Sequence, residues 1–392
     1  MADPSFLLDS QVPSPCFVID LDRLRQNARV LAGVQERTGA RIFLALKGYA
    51  CPSTFPLLSR ALGRGGPLYG TCASSVDEAR LGREEFGGKV EAFAAAWSED
   101  EMRELVTLAD TIVFNSVAQW HRFRDIVKAA PRSIECGLRI NPEHSEGTVP
   151  IYDPCSPISR LGIRRRDLPD GIMSEGISGL HFHTLCEQGA DALARTVEAV
   201  EKNFAPFLEQ CSWINCGGGH HITRPGYALA TLENCILSVR QKYGVQVYLE
   251  PGEAWALNAG YLVTTVLDTL RNGDTSLAIL DMSAACHTPD VIEMPYRPPL
   301  LDAGEAGEKA HTVRLGGPTC LAGDIIGDYS FDAPLAEGDK LIFGDMAIYT
   351  TCKNNTFNGM PLPPIWLLGA DGNCRELVHF GYQDFKMRLG AQ

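Results

Sequence analysis

The chain has 392 residues, 45% hydrophobic and 21% charged, with a formal net charge of −13; that length exceeds what one hydrophobic core usually serves, so two domains are expected. The acidic balance without any dense Lys/Arg run argues against a nucleic-acid surface, and no stretch reaches the ~18 apolar residues of a membrane span. Residues 1–15 carry no basic residue, as a secretory leader would, and the 13 cysteines are odd in number with no C-x-x-C pair, so a cytoplasmic protein without a disulfide framework or zinc ribbon is expected.

Residues 16–19 read as a strand, and Asp20 or Asp22 can cap the helix that follows, with Leu24, Ala28 and Leu31 on one face. The run Ile42-Phe43-Leu44-Ala45-Leu46 is apolar throughout and stops at Lys47 and Gly48, which is the pattern of a buried strand with one amine at its C-terminal tip. Barrels and open α/β sheets place chemistry at that tip. A lysine stem partly sheltered there loses its proton readily enough to attack a carbonyl, so Lys47 is a candidate Schiff-base nucleophile. A surface lysine that merely ends a strand is the plainer alternative.

Apolar runs recur at 68–72, 90–94, 111–114, 135–140, 177–183, 213–216 and 245–249; with the first they number eight, the count of a (β/α)₈ TIM barrel. Amphipathic stretches such as 75–86, 99–109 and 190–208 alternate with them, which implies parallel strands joined by crossover helices. Residues 141–160, rich in Pro, Glu and Ser, are expected to form a long loop over the barrel mouth. After Gly260 the texture changes to strand-like runs at 261–267, 277–281, 340–343 and 365–368, separated by Gly, Pro and Asp turns. The expectation is an α/β chain: a barrel over 21–257, and a second, mostly antiparallel β domain from 1–20 and 258–392.

On that reading Lys47, Arg139, His183, the run Gly217, Gly218 and Gly219, and Glu250 all fall at or just beyond strand C-terminal ends and share one rim. Consecutive glycines let backbone N–H groups approach a phosphate, above all ahead of a helix, although turns also use glycine freely. Glu250 can meet a protonated ring nitrogen or simply cap a helix, and His183 can stack on a flat ring. A rival account takes His181 and His183, with His220 and His221, as metal ligands of a hydrolase. Against it, side chains alternate along a strand, so one of the first pair is expected to point out of the barrel unless the strand ends there.

A lysine, phosphate-binding glycines, a stacking histidine and a carboxylate for a pyridine nitrogen are together what pyridoxal 5′-phosphate requires. Through LALKGYA, GLHFHTLCE, NCGGGHH, LEPGEA, GPTCLAGD and MAIYTTCKNNTFNG the chain resembles the fold-type III pyridoxal-phosphate decarboxylases over nearly its whole length. Within them it is most similar to the branch acting on carboxynorspermidine and carboxyspermidine, with diaminopimelate- or ornithine-type decarboxylation as the alternative.

The resemblance implies that Lys47 binds the cofactor covalently, His183 stacks on its ring, Gly217, Gly218 and Gly219 cradle its phosphate and Glu250 meets its ring nitrogen. Arg139 would lie beside it and Tyr349 would reach the phosphate. Cys320 would come from the neighbouring subunit of a homodimer to protonate the product. Ornithine-type relatives carry an arginine where this chain has Glu253, and no acid follows Cys320 here. Glu253, Asp324 and Asp290, the last ahead of an apparent strand at Val291 and Ile292, are the expected partners of a cationic substrate tail. A turn-forming role is the alternative for Asp290. A pyridoxal-phosphate carrier without activity would look like a barrel alone, which the region after Gly260 counts against.

Overall fold

The computed structural model describes residues 4–59, 68–147 and 153–390. Among them no helix is long and apolar enough to cross a membrane. The chain divides into two compact units, Arg25–Trp255 and Met1–Leu24 with Ala256–Gln392. The first strand, β1 (Cys16–Asp20), is followed directly by the helix Leu21–Thr38. Asp20 supplies that helix's cap, its Oδ1 accepting from the N–H groups of Asp22 and Arg23 at 2.9 and 3.0 Å.

Arg25–Trp255 is the barrel. Eight parallel strands close on themselves in chain order: β2 (Arg41–Ala45), β3 (Gly70–Ala73), β4 (Lys89–Phe93), β5 (Thr111–Phe114), β6 (Glu135–Arg139), β7 (Gly179–His181), β8 (Trp213–Asn215) and β9 (Gln246–Leu249). Helices link most of them, several with local start signals in the sequence. Ser98 and Glu101 form a reciprocal capping box on Glu99–Leu108, and Ser75 and Ser116 cap the helices that follow them.

The barrel interior is filled by side chains, with Phe43, Val113, Trp213 and Tyr248 forming one buried cluster. Glycine makes room for the largest of them: a Cβ on Gly137 or Gly179 would fall 2.3 or 2.1 Å from the Trp213 ring. Trp213 Nε1 donates to Ser178 Oγ at 3.1 Å, so the one polar atom of this plug is satisfied. Described residues of the segment 141–160 contain no helix or strand; 148–152 lie outside the described residues.

The second unit holds one sheet in the order β13, β12, β11, β10, β1, β15, β16, with β14 also paired to β10. Its strands are β10 (Gly260–Asn272), β11 (Thr275–Leu280), β12 (His311–Gly316), β13 (Ile325–Phe331), β14 (Lys340–Gly344), β15 (Ile365–Leu368) and β16 (Cys374–Val378). Among the described residues of this sheet, only β1–β15 and β11–β12 pair in parallel. β1 lies inside this sheet, between β10 and β15. Val291 and Ile292, expected to form a strand, belong instead to the one-turn helix Asp290–Glu293, which Pro289 precedes. Pro–Asp opens a helix readily, and that signal outweighs two β-branched residues.

Candidate active site

Parallel strands bring their C-terminal ends to one rim, and register then decides which side chains meet. Arg139, His181 and Asn215 are direct partners across β6, β7 and β8, and Glu250 follows the end of β9. His181 Nε2 lies 3.1 Å from Glu250 Oε2, and the Asn215 amide donates to Glu250 Oε1 at 2.8 Å. The same amide nitrogen donates to Glu91 Oε1 at 2.6 Å. Arg139 is buried with its guanidinium 4.6 Å above the Phe93 ring, and Phe93 stacks on His181 at 5.4 Å.

This buried group separates its charges sharply. Burial works to raise the Glu250 pKa, but His181 and hydrogen bonding with Glu91 prevail and hold it well below the usual carboxylate range. Burial, then the neighbouring Glu250 charge, push Glu91 well above that range. Burial also lowers His181, despite Glu250 beside it, so the ring is neutral and donates from Nε2. Burial lowers Arg139 to about 10, which leaves it cationic at neutral pH.

His183 lies two residues past His181, after β7 has ended. The strand ends at His181, which is the exception under which neither histidine need point out of the barrel, and both rings feel the Glu250 charge. His183 Nδ1 accepts the Gly218 N–H at 2.9 Å, and burial followed by the charges of Lys47 and Arg139 keeps this ring neutral. The Gly217 N–H is engaged by Asn215 Oδ1 at 2.8 Å. Gly217 and Gly219 have φ of 68° and 81°, and a Cβ there would meet the carbonyl oxygens of Phe182 and Leu185 at 2.5 and 1.9 Å. No helix follows the run directly; the next begins at Leu229. Any anion held there relies on backbone groups without a helix dipole.

Lys47 stands in a turn two residues past β2, and its side chain is exposed rather than partly sheltered. The strand stops at Ala45 and lifts the amine clear of the apolar wall. The other two histidines of the rival metal account have partners of their own. His220 Nδ1 lies 2.7 Å from the Tyr227 hydroxyl, and His221 Nε2 lies 2.5 Å from Glu253 Oε2.

Burial works to lower the His221 pKa but is outweighed by Glu253, and the net shift is upward. A raised folded-state value means stability that is present in full below the unfolded histidine value and lost as pH rises through the folded one. The destabilisation caused by Glu253→Gln is therefore expected to be larger at about pH 6 than at about pH 9 in thermal melts. Equal losses at both values would refute the ion pair.

The β unit holds the remaining candidates. Cys320 is exposed on the loop between β12 and β13, and its N–H donates to Asn358 Oδ1 at 2.9 Å. Asp290 is not open to solvent cations alone, since the Lys353 ammonium already bonds its carboxylate and that of Glu293. Tyr349, with φ of 56°, precedes the one-turn helix Thr350–Lys353 without capping it through its side chain. Asp324, expected to face substrate, is buried and fully engaged: Oδ1 accepts from Ser283 Oγ at 3.0 Å and the Ala285 N–H at 3.1 Å, and Oδ2 from Thr319 Oγ1 at 2.7 Å. These bonds tie the Cys320 loop to the segment at Ser283. Asp324→Ala removes the acceptor of four donors, the buried Ser283 hydroxyl and the partly buried Ala285 N–H, Thr319 N–H and Thr319 hydroxyl, and is expected to cost about 2–4 kcal/mol in denaturant unfolding. A loss below about 0.5 kcal/mol would show that the knot is dispensable.

Two residues of the network, Glu91 and Asn215, were not singled out from the sequence. Their signal was present: Glu91 is an acid in the middle of the buried part of β4, and Asn215 is the polar last residue of β8, a strand tip like Arg139.

A closed parallel barrel with a lysine and an ionised carboxylate on one rim, together with a separate mostly antiparallel sheet, defines the fold-type III decarboxylase class. A family profile described as pyridoxal-dependent decarboxylase, C-terminal sheet domain, matches residues 16–347, and the chain belongs to the pyridoxal-dependent decarboxylases. The carboxyaminopropylagmatine decarboxylase of Synechocystis sp. is 41% identical over 97% of this chain and 96% of that protein. The carboxynorspermidine/carboxyspermidine decarboxylase of Campylobacter jejuni is 39% identical over 96% of this chain and 99% of that protein.

The crystal structure of carboxynorspermidine decarboxylase from Campylobacter jejuni, complexed with norspermidine, matches with a TM-score of 0.86 at 38% identity, covering 96% of this chain and all of that one. The diaminopimelate decarboxylase of Helicobacter pylori, complexed with L-lysine, matches with a TM-score of 0.82 at 16% identity over 99% of both chains, a likeness of fold alone.

Proposed function

We propose that this chain uses pyridoxal 5′-phosphate to decarboxylate the amino-acid end of a carboxylated polyamine, carboxynorspermidine or carboxyspermidine, releasing norspermidine or spermidine. The observation that carries it is Glu250, held as an anion by hydrogen bonds from His181 and Asn215 on the rim that carries Lys47. The donor set fits the group. Lys47 offers an exposed amine for its carbonyl carbon, His183 a neutral flat ring for its face, and Glu250 an anion for its protonated ring nitrogen. Arg139 adds a fixed positive charge beside it, and Gly219, with Tyr349, is assigned to its phosphate alongside Gly217 and Gly218.

When bound, the cofactor supplies an electron sink for breaking the bond between the α-carbon and the carboxylate. The protein's share is placement and protons. Glu250 keeps the ring nitrogen protonated, and the Gly218 N–H fixes the His183 ring plane through Nδ1. In this reading Cys320 of a second copy of the chain delivers the proton to the product carbon, so the active form is a homodimer. Asp290 and Glu253 are the anions assigned to the substrate tail.

A second reading, decarboxylation of carboxyaminopropylagmatine, is favoured by the 41% identity to the Synechocystis protein. CO₂ release by the purified protein from each carboxylated polyamine, diaminopimelate and ornithine separates the cases. Each charge-assisted contact to the tail is expected to contribute about 1.5–3 kcal/mol, so a carboxylated polyamine should lead by about tenfold or more in kcat/KM. A lead by carboxyaminopropylagmatine selects the second reading. A lead by diaminopimelate or ornithine overturns both.

A further inference from the structure

Glu91 has no part in the reaction described above, yet it is the most completely buried acid of the barrel. It projects from the middle of β4 and is wholly shielded from solvent. One Asn215 nitrogen donates to both carboxyl groups, at 2.6 Å to Glu91 and 2.8 Å to Glu250. That bridge brings the two acids together, and ligand-type atoms of Glu91, His181 and Glu250 lie within 4.8 Å of one another. Two carboxylates so close in a desolvated interior cannot both be anions, because their repulsion adds to the cost of burying each.

We propose that Glu91 is a positioning residue of this site: a neutral carboxylic acid that holds the proton of the pair on its Oε2, a buried oxygen without another hydrogen-bond partner among the described residues, and so leaves Glu250 the anion. This rests on the decarboxylase reading for its purpose, which is to keep a proton acceptor ready for the ring nitrogen. Glu250 is the member left ionised because donors surround it. It receives His181 Nε2–H and the Asn215 amide, and Arg139 contributes a favourable charge.

Glu91 faces a different set. The register partners of Glu91 are Cys72 on β3 and Thr111 on β5, and the charge of Glu135 at the start of β6 also opposes its ionisation. Burial, then the Glu250 charge, keep the Cys72 thiol protonated, and Lys47 only partly offsets them. Burial dominates the Glu91 shift, with the Glu250 charge second.

The test uses Glu91→Gln and Glu91→Ala in the full-length protein. Glutamine keeps a neutral donor of the same shape, so Glu91→Gln is expected to fold normally and to retain turnover within about threefold. Alanine removes the acid, so burial acts on Glu250 with one fewer group to offset it, His181 and Asn215 remaining. The acid limb of the kcat/KM profile is then expected to move up by about a unit or more.

Infrared spectra of the full chain at neutral pH, before and after cofactor removal, supply a readout apart from activity. The wild type is expected to show a protonated-carboxyl C=O band that Glu91→Gln abolishes. Three results overturn the proposal: a Gln variant with the same shifted limb as Ala, an Ala variant with an unmoved limb, or no Gln-sensitive band. Stoichiometric, tightly held zinc in the purified protein would overturn it too, by placing an ion where the proposal places a proton. If the wild type decarboxylates nothing, the functional reading fails while the infrared result still decides where the proton sits.

Discussion

Lys47→Ala abolishes turnover, by more than about 10³-fold, because no second group replaces an amine that acts as covalent anchor. The fold should survive the change. Lys47 is exposed in a turn beyond β2, so its side chain contributes little to packing, and the melting temperature is expected to stay within a few degrees of wild type. Borohydride reduction of the loaded wild type followed by peptide mass mapping should place the cofactor's mass on Lys47 and on no peptide of the variant. A reduced adduct in the variant would move the anchor to another lysine.

Glu250→Gln is the second large effect. A glutamine of the same shape keeps a hydrogen-bond acceptor for Asn215 but loses the negative charge that sustains a protonated ring nitrogen. Removing one preorganised electrostatic partner of this kind costs on the order of 10²–10³ in kcat. KM should change far less, since the lost interaction grows as charge develops during the reaction. The chromophore of the loaded variant should also respond differently to pH. Retention of full kcat with an unchanged spectrum would show that the ring nitrogen is handled elsewhere.

The barrel was legible because a strand buried on both faces must be apolar throughout, and eight such runs stand out between amphipathic stretches. The β unit was harder to read. β12 and β13 were missed because their residues alternate between buried and solvent-facing, so Arg314 and Asp328 interrupt the apolar pattern; these two pair with each other on the exposed face, 2.7 Å apart. The rim positions of Lys47, Arg139, His183 and Glu250 followed from strand tips alone. Their partners did not. Asn215 was hidden in a three-residue strand, and Asp324 looked like a substrate contact because sequence does not show that both carboxylate oxygens are already engaged. The His221 that meets Glu253 was missed for the same reason, since it follows a different strand.

The place of β1 bears on how the molecule is made. It is made before every other strand described here, yet both of its neighbours, β10 and β15, are encoded after the entire barrel. Phe17, Val18 and Ile19, all buried in the finished sheet, therefore wait with unpaired edges while more than half the polypeptide is synthesised. During that interval they form a hydrophobic ribbon of the kind that chaperones bind. A nascent chain halted before Ile365 would lack one of the two partners of β1, and strand addition from a neighbouring chain would then compete with completion. Expression yield, rather than the stability of the finished enzyme, is where substitutions in β1 would be felt first.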